Sequence, residues 1–139
     1  MKIQANDACP CGSGQKFKRC CRAAHRGESP GAPSDLVRAR YSAYVVGDVA
    51  FIQASTHPAA GQYRADRQQW AREILEFSRS TRFEGLEILD AAEEEEQAEV
   101  TFVARLRDLE GNDVSFQERS QFRRHNGAWL YLAALQPES

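Results

Sequence analysis

A chain of 139 residues that is 42% hydrophobic and 27% charged has the composition of one ordinary globular domain with a small appendage, which excludes a wholly disordered chain, a collagen and a coiled coil. No apolar run approaches the ~20 residues of a membrane span, and Met1–Asp7 lacks the apolar core of a secretory signal; the expected compartment is the cytoplasm, with no membrane partner. The formal net charge of −2 argues against a generally basic nucleic-acid binder, yet within residues 1–30 Lys2, Lys16, Lys18, Arg19, Arg22 and Arg26 face only Asp7 and Glu28, so a basic head precedes an acidic body.

All four cysteines lie in that head, in the order Cys9-x-Cys11-x8-Cys20-Cys21. A reducing compartment disfavours stable disulfides, so clustered thiols read as metal ligands or redox groups. Two close thiols, a Gly12-Ser13-Gly14 turn and two more thiols can surround one tetrahedral ion. The expected cofactor is zinc, held by Cys9, Cys11, Cys20 and Cys21. Four protein ligands close the site, which makes it structural, with no open position for a nucleophilic water. Redox-active thiols and an iron–sulfur cluster are the alternatives. His25 lies near enough to compete as a ligand, but four thiols make it unnecessary.

Gly27-Glu-Ser-Pro-Gly-Ala-Pro33 reads as a Gly/Pro linker. It divides the chain into a head at 1–26, a linker at 27–33 and a body at 34–136, and it predicts a head separable from an independently folded body. The body opens with a helix that Ser34 can cap and Gly47 can end, with Val37, Tyr41, Tyr44 and Val45 on one face. Asp48 can cap a short second helix, which Thr56-His57-Pro58 stops. Asp66 can cap a third, in which Trp70, Ile74 and Phe77 recur at helical spacing.

Near residue 82 the apolar period changes from 3.6 to two. Strands are expected at about 82–91, 98–107, 113–124 and 128–136. Glu93–Glu96 forms a solvated hairpin loop, Gly111-Asn112-Asp113 a turn and Asn126-Gly127 a tight hairpin. Helices followed by hairpin-linked strands define an α+β fold: N-terminal helices packed on a curved antiparallel four-stranded sheet, preceded by the zinc-binding head.

The third strand carries polar residues in its apolar phase: Val114, Phe116, Glu118, Ser120, Phe122. A buried carboxylate must be paired or neutralised. Arg38 and Arg40, flanking the buried stripe of the first helix, are the candidate partners, and the favoured role of Glu118 is such a brace. If the concave face instead encloses a ligand, the candidate pocket is Arg38, Arg40, Tyr41, Tyr44, His57, Trp70, Glu118 and Ser120, with Glu118 or His57 as proton carriers. Otherwise His57 reads as a helix-end or surface residue, and Trp70, Tyr41, Tyr44 and Trp129 as core. No Ser-His-Asp order, P-loop or dinucleotide fingerprint is present.

Cys9-Pro10-Cys11-Gly12-Ser13-Gly14, with Lys16, Phe17, Lys18 and Cys20, resembles the SEC-C motif, the small zinc module at the C-terminus of the SecA translocation ATPase. That version usually ends Cys-His, where this chain has Cys21. The resemblance implies metal binding and, since the SecA module docks on a partner chaperone, an interaction role. Over nearly the whole chain, this head with Leu36–Val45, His57-Pro58, Phe102–Arg105, Glu118–Phe122 and Trp129 looks like the YchJ family of bacterial proteins. That family's body is similar to the nuclear-transport-factor-2-like, SnoaL-like cone (a cystatin-like architecture), whose concave face often lines a ligand cavity. The leading expectation is an interaction module that docks through its basic head on a protein or ribonucleoprotein partner. Direct nucleic-acid binding is not favoured. The alternative is a small-molecule binder or enzyme using the cavity around Glu118.

Overall fold

The computed structural model describes residues 3–135. Its elements run α1 (Cys21–His25), α2 (Pro33–Val46), α3 (Val49–Ala54), α4 (Arg67–Arg79), β1 (Thr81–Glu93), β2 (Gln97–Asp108), β3 (Phe116–His125) and β4 (Ala128–Leu135). The strands form one antiparallel sheet in sequence order. This is the α+β arrangement that the change of period near residue 82 predicts. Register irregularities at Phe83/Gly85 and Ile88/Asp90 in β1, and at Leu132 of β4 opposite Gln121/Phe122, insert bulges. Bulges bend a strand and deepen its twist, so the sheet curves around the helices.

Local chemistry fixes the element ends. Asp48 and Asp66 cap α3 and α4 as expected: their carboxylates accept from Phe51 N and Gln69 N, each at 3.0 Å. Ser34 does not cap α2. The helix begins one residue earlier, at Pro33, with Ala32 as an N-cap that offers no side-chain hydrogen bond. A proline has no N–H to leave orphaned at the first helical position, so it starts the helix rather than ending a linker. Asn126 and Gly127 both have positive φ (53° and 84°), the conformation of a two-residue hairpin whose twist matches its strands. The acidic run forms the β1–β2 turn, closed by Glu94 N donating to Gln97 O at 2.8 Å.

The third strand departs from its expected start. Residues 113–115 are a loop, because Asp108 accepts from Glu110 N and Asn112 N, Asp113 accepts from Ser115 N and Ser115 Oγ accepts from Leu106 N. Those side-chain bonds replace all of the ladder but an isolated bridge, in which Asp113 pairs with Arg107 and Val114 N donates to Leu106 O at 3.0 Å, and Val114 is left exposed. The fourth strand ends at Leu135; Gln136, the expected last residue of the body, lies outside the described residues.

The sheet's concave face supplies the core. Val100, Phe122, Trp129 and Tyr131 pack on Leu36 and Val37 of α2. The outer face is wet and laced with ion pairs, Glu87–Arg105 at 3.0 Å, Glu84–Arg107 at 3.1 Å and Glu99–Arg119 at 3.5 Å. Helix α2 is unusual in being buried almost all round. One side meets the sheet. The other meets the N-terminal head, where Phe17, Cys9, Cys11 and Cys21 cluster with Ala39, joined by Val46 and Phe51. The head is thus docked on the body; the Gly/Pro segment does not hold the two apart.

Candidate functional site: a four-cysteine head and a cone cavity

The head folds back on itself. Cys9 N donates to Gln15 O at 2.9 Å and Phe17 N to Asp7 O at 2.8 Å, forming a miniature hairpin. Its turn needs Gly12 and Gly14, at φ +83° and +84°, a region that side chains disfavour. A single 3-10 turn, Phe17–Arg19, then delivers Cys20 and Cys21 to the same point. The one ligand atom of each of Cys9, Cys11, Cys20 and Cys21 lies within 4.8 Å of the others, with Cys11 and Cys20 Sγ 3.6 Å apart and Cys20 and Cys21 Sγ 4.0 Å apart. A tetrahedron with metal–sulfur bonds of ~2.3 Å has edges of about 3.8 Å, so the four sulfurs fit a single metal ion.

The electrostatics agree with the geometry. Hydrogen bonds from Cys11 and Cys21 hold the Cys9 thiol well below the usual range, while hydrogen bonding to Cys11 and Cys9, with burial, pushes Cys21 up. The sulfurs share negative charge that a divalent cation would take over. Ser42 of α2 stands 3.6 Å from Cys9 Sγ and is fully buried, so the helix supplies a polar contact to the ligand set. His25 is not aimed at the sulfurs. Its Nε2 donates to Ala39 O at 2.7 Å, its Nδ1 lies 3.7 Å from Asp48, and its ring packs between Phe17 and Phe51. It staples α1 to α2 and α3.

On the opposite side of α2, helices and sheet line a half-open cavity of about 390 Å3. Of the residues expected there, Arg40, Tyr41, Tyr44, Trp70, Glu118 and Ser120 line it. Arg38 does not: it lies on α2's exposed edge, 3.7 Å from Asp35, because a two-residue step turns a helix by about 200° away from Arg40. His57 is also outside. Its N donates to Tyr131 O at 2.8 Å, its Nδ1 accepts from Ala59 N at 3.0 Å, and its ring meets that of His125 at 5.0 Å. Burial, His125 and Arg123 hold its pKa below the ordinary imidazole value.

The expected Arg40–Glu118 ion pair does not form. Arg40, only 7% exposed, donates through Nη1 to Ser55 Oγ at 2.8 Å, Thr56 Oγ1 at 3.0 Å and Ile52 O at 3.3 Å, and its guanidinium lies over the Tyr131 ring, 4.6 Å from the centroid. Glu118 Oε2 instead accepts from Ser120 Oγ at 2.5 Å and from Tyr131 OH at 3.3 Å. Burial and the Glu118 charge raise the Tyr131 pKa, so its hydroxyl stays a donor. Burial likewise raises Tyr41 to about 12. Apolar walls of Ile74, Phe83, Phe102, Ala104 and Phe122 complete the space, with Gln62, Arg64 and Glu73 also in the lining. Tyr131 and Ser42 are the functional residues that pattern reading passed over. Tyr131 reads as one more apolar residue of a strand, and Ser42 as a neutral helix position.

A cone of helices on a bent sheet, joined to a four-cysteine head, defines an NTF2-like domain with a SEC-C motif: residues 32–134 match the description "YchJ, middle NTF2-like domain" and residues 6–23 match the SEC-C motif. The chain belongs to the YchJ family. It is 38% identical over 130 residues to a UPF0225 protein of Xanthomonas oryzae pv. oryzae, covering 93% of this chain and 95% of that one. It is also similar to the solution structure of a SEC-C motif containing protein from Rhodopseudomonas palustris (TM-score 0.80, 30% identity, 95% of this chain and 100% of that one). The crystal structure of a SEC-C motif containing protein from Psychrobacter arcticus shares the fold (TM-score 0.76, 21% identity, 97% of this chain and 86% of that one). Among the described residues no helix is long and apolar enough to cross a membrane.

Proposed function

We propose that this protein is a zinc-stabilised small-molecule binder, with the cone cavity as its ligand site and the head as a structural brace. The observation that carries the reading is the cavity: about 390 Å3, apolar-walled, with Arg40, Tyr44, Glu118, Ser120 and Tyr131 among its lining. Ligand sites have this composition, mostly apolar with a few placed polar groups. Zinc is the metal best suited to four thiolates in a closed tetrahedron without redox function, and reduced thiols suit a cytoplasmic setting. Fluorescence titration with N-phenyl-naphthylamine, a neutral apolar fluorophore, tests the cavity. Saturable enhancement that Ala104→Trp abolishes, with the variant's circular dichroism unchanged, supports the reading; the same titration curve in parent and folded variant sinks it.

A second reading is that the head docks on an acidic protein or ribonucleoprotein surface. It is favoured by Lys16, Lys18 and Arg19, which are exposed on the head and would steer such a partner electrostatically. Charge reversal at these three positions, with capture of partners from cell extract before and after, tests it. Loss of a salt-sensitive partner supports docking, and an unchanged partner set counts against it.

A further inference from the structure

We propose that the cavity selects a small aromatic or alicyclic carboxylic acid that also bears a hydroxyl or amino group, its carboxylate on Arg40 and its hydrogen-bond donor on Glu118. The proposal rests on the ligand-binding reading above and names the ligand class for that site.

Arg40 carries the first half. It is nine-tenths buried, and among the described residues no carboxylate pairs with it: the ion pairs involve other arginines and His25. Its three hydrogen bonds all leave from Nη1. Nη2 and Nε bond to no described residue, yet they are not sealed, because among the described residues the one fully enclosed side-chain nitrogen or oxygen without a partner is Trp129 Nε1. Arg40 lines the cavity, so these two unsealed nitrogens are the ones left to meet a molecule bound there. Burial works against its charge, but a guanidinium stays protonated in proteins. An enclosed cation with two nitrogens free is costly unless something anionic meets it. The planar guanidinium fork fits a carboxylate in two parallel bonds.

Glu118 carries the second half. Oε2 is occupied by Ser120 and Tyr131, whereas Oε1 accepts from no described residue. The Glu118 charge is felt at Arg40 without contact. A cation and an anion thus stand apart in one cavity. A simple carboxylate seated on Arg40 would meet repulsion from Glu118. A carboxylate with a neighbouring O–H or N–H donor satisfies both, while Trp70, Ile74, Phe102 and Phe122 take its ring.

The test uses the metal-loaded full chain and displacement of N-phenyl-naphthylamine by three competitors of one size: phenyllactate, phenylpropionate and phenylpropanol. Phenyllactate should bind at least about tenfold more tightly than phenylpropionate, and phenylpropionate at least about tenfold more tightly than phenylpropanol, the lower end expected for hydrogen bonds to charged groups. In Glu118→Gln, phenylpropionate should bind more tightly than to the parent, and the advantage of phenyllactate should shrink. Phenylpropanol equal to phenylpropionate overturns the role of Arg40. Phenyllactate no tighter than phenylpropionate overturns the role of Glu118. A fluorophore that binds but that no acid displaces overturns this proposal and leaves the cavity reading standing; a fluorophore that does not bind overturns both.

Discussion

Arg40 stacks on Tyr131 rather than pairing with Glu118, its guanidinium carbon 4.6 Å from the ring centroid. Tyr131 thus stands between the two charges: its face receives the cation and its hydroxyl donates to the carboxylate at 3.3 Å. The consequence is a division of labour. Arg40 holds the C-terminal end of α3 through Ile52, Ser55 and Thr56, and Glu118 belongs to a separate hydroxyl network.

That division sets the cost of substitution. Removing one member of a direct buried ion pair costs about 3–5 kcal/mol. Without such a pair, Glu118→Ala should cost only about 1–3 kcal/mol, the penalty for leaving the Ser120 and Tyr131 hydroxyls unpaired, and Glu118→Gln about 1 kcal/mol or less, since the amide oxygen still accepts. Arg40→Ala should be the more severe change, because it removes three buried hydrogen bonds from a charged donor and empties a buried volume. Denaturant unfolding of the three variants checks the order; Glu118→Ala as costly as Arg40→Ala would restore the direct brace.

Tyr41 provides a pH test. Burial raises its pKa from the ordinary 10 to about 12. The protonated phenol is the form that the folded state favours, so its stabilisation is fully present below pH 10 and is lost as pH rises from 10 through 12. By pH 11 the loss from this group is about 1 kcal/mol. Under reducing conditions Tyr41→Phe should flatten the fall in stability between pH 9 and 11 relative to the parent. Parallel curves for the two proteins would assign the fall to other groups.

Much of this fold is legible as pattern, and the reason is local. Asp48, Asp66 and Asn126-Gly127 act within four residues of themselves, so their roles survive any tertiary arrangement. The cysteine spacing is equally local and marks the four thiols that the fold gathers. What escapes pattern reading depends on distant partners. The buried stripe of α2 predicts one covered face, but the head covers the other, and Ser42 and Ala39 acquire their roles only from that docking. Val114 continues the alternation of β3 on paper, yet Asp108, Asp113 and Ser115 hold the backbone locally, so that only an isolated bridge to β2 remains and its side chain is exposed. Arg38 and Arg40 read equally as partners for Glu118, flanking the buried stripe of α2; only Arg40 is buried. Its capture by Ser55 and Thr56 required knowing where α3 ends in space.

The docking of the head leads to the last prediction. Four sulfurs are gathered at the head's centre, Phe17 is 6% exposed in a cluster shared with Ala39 and Phe51, and His25 bonds to the Ala39 carbonyl on α2. Metal loss therefore removes support from α2, the helix whose other side lines the cavity. The purified protein should contain one zinc per chain. Chelation or Cys20→Ser should lower the melting temperature of the whole chain in a single transition, by roughly 5–10 °C, because metal bound only to the folded state stabilises all that folds with it. Hydrogen exchange should quicken in the second half of α2 as well as in the head. Phe17→Ala, which leaves the sulfurs in place, should reproduce part of the loss, about 3 kcal/mol for an aromatic removed from a core. Two separate transitions, with α2 exchange unchanged after metal removal, would show instead that the body stands without its head.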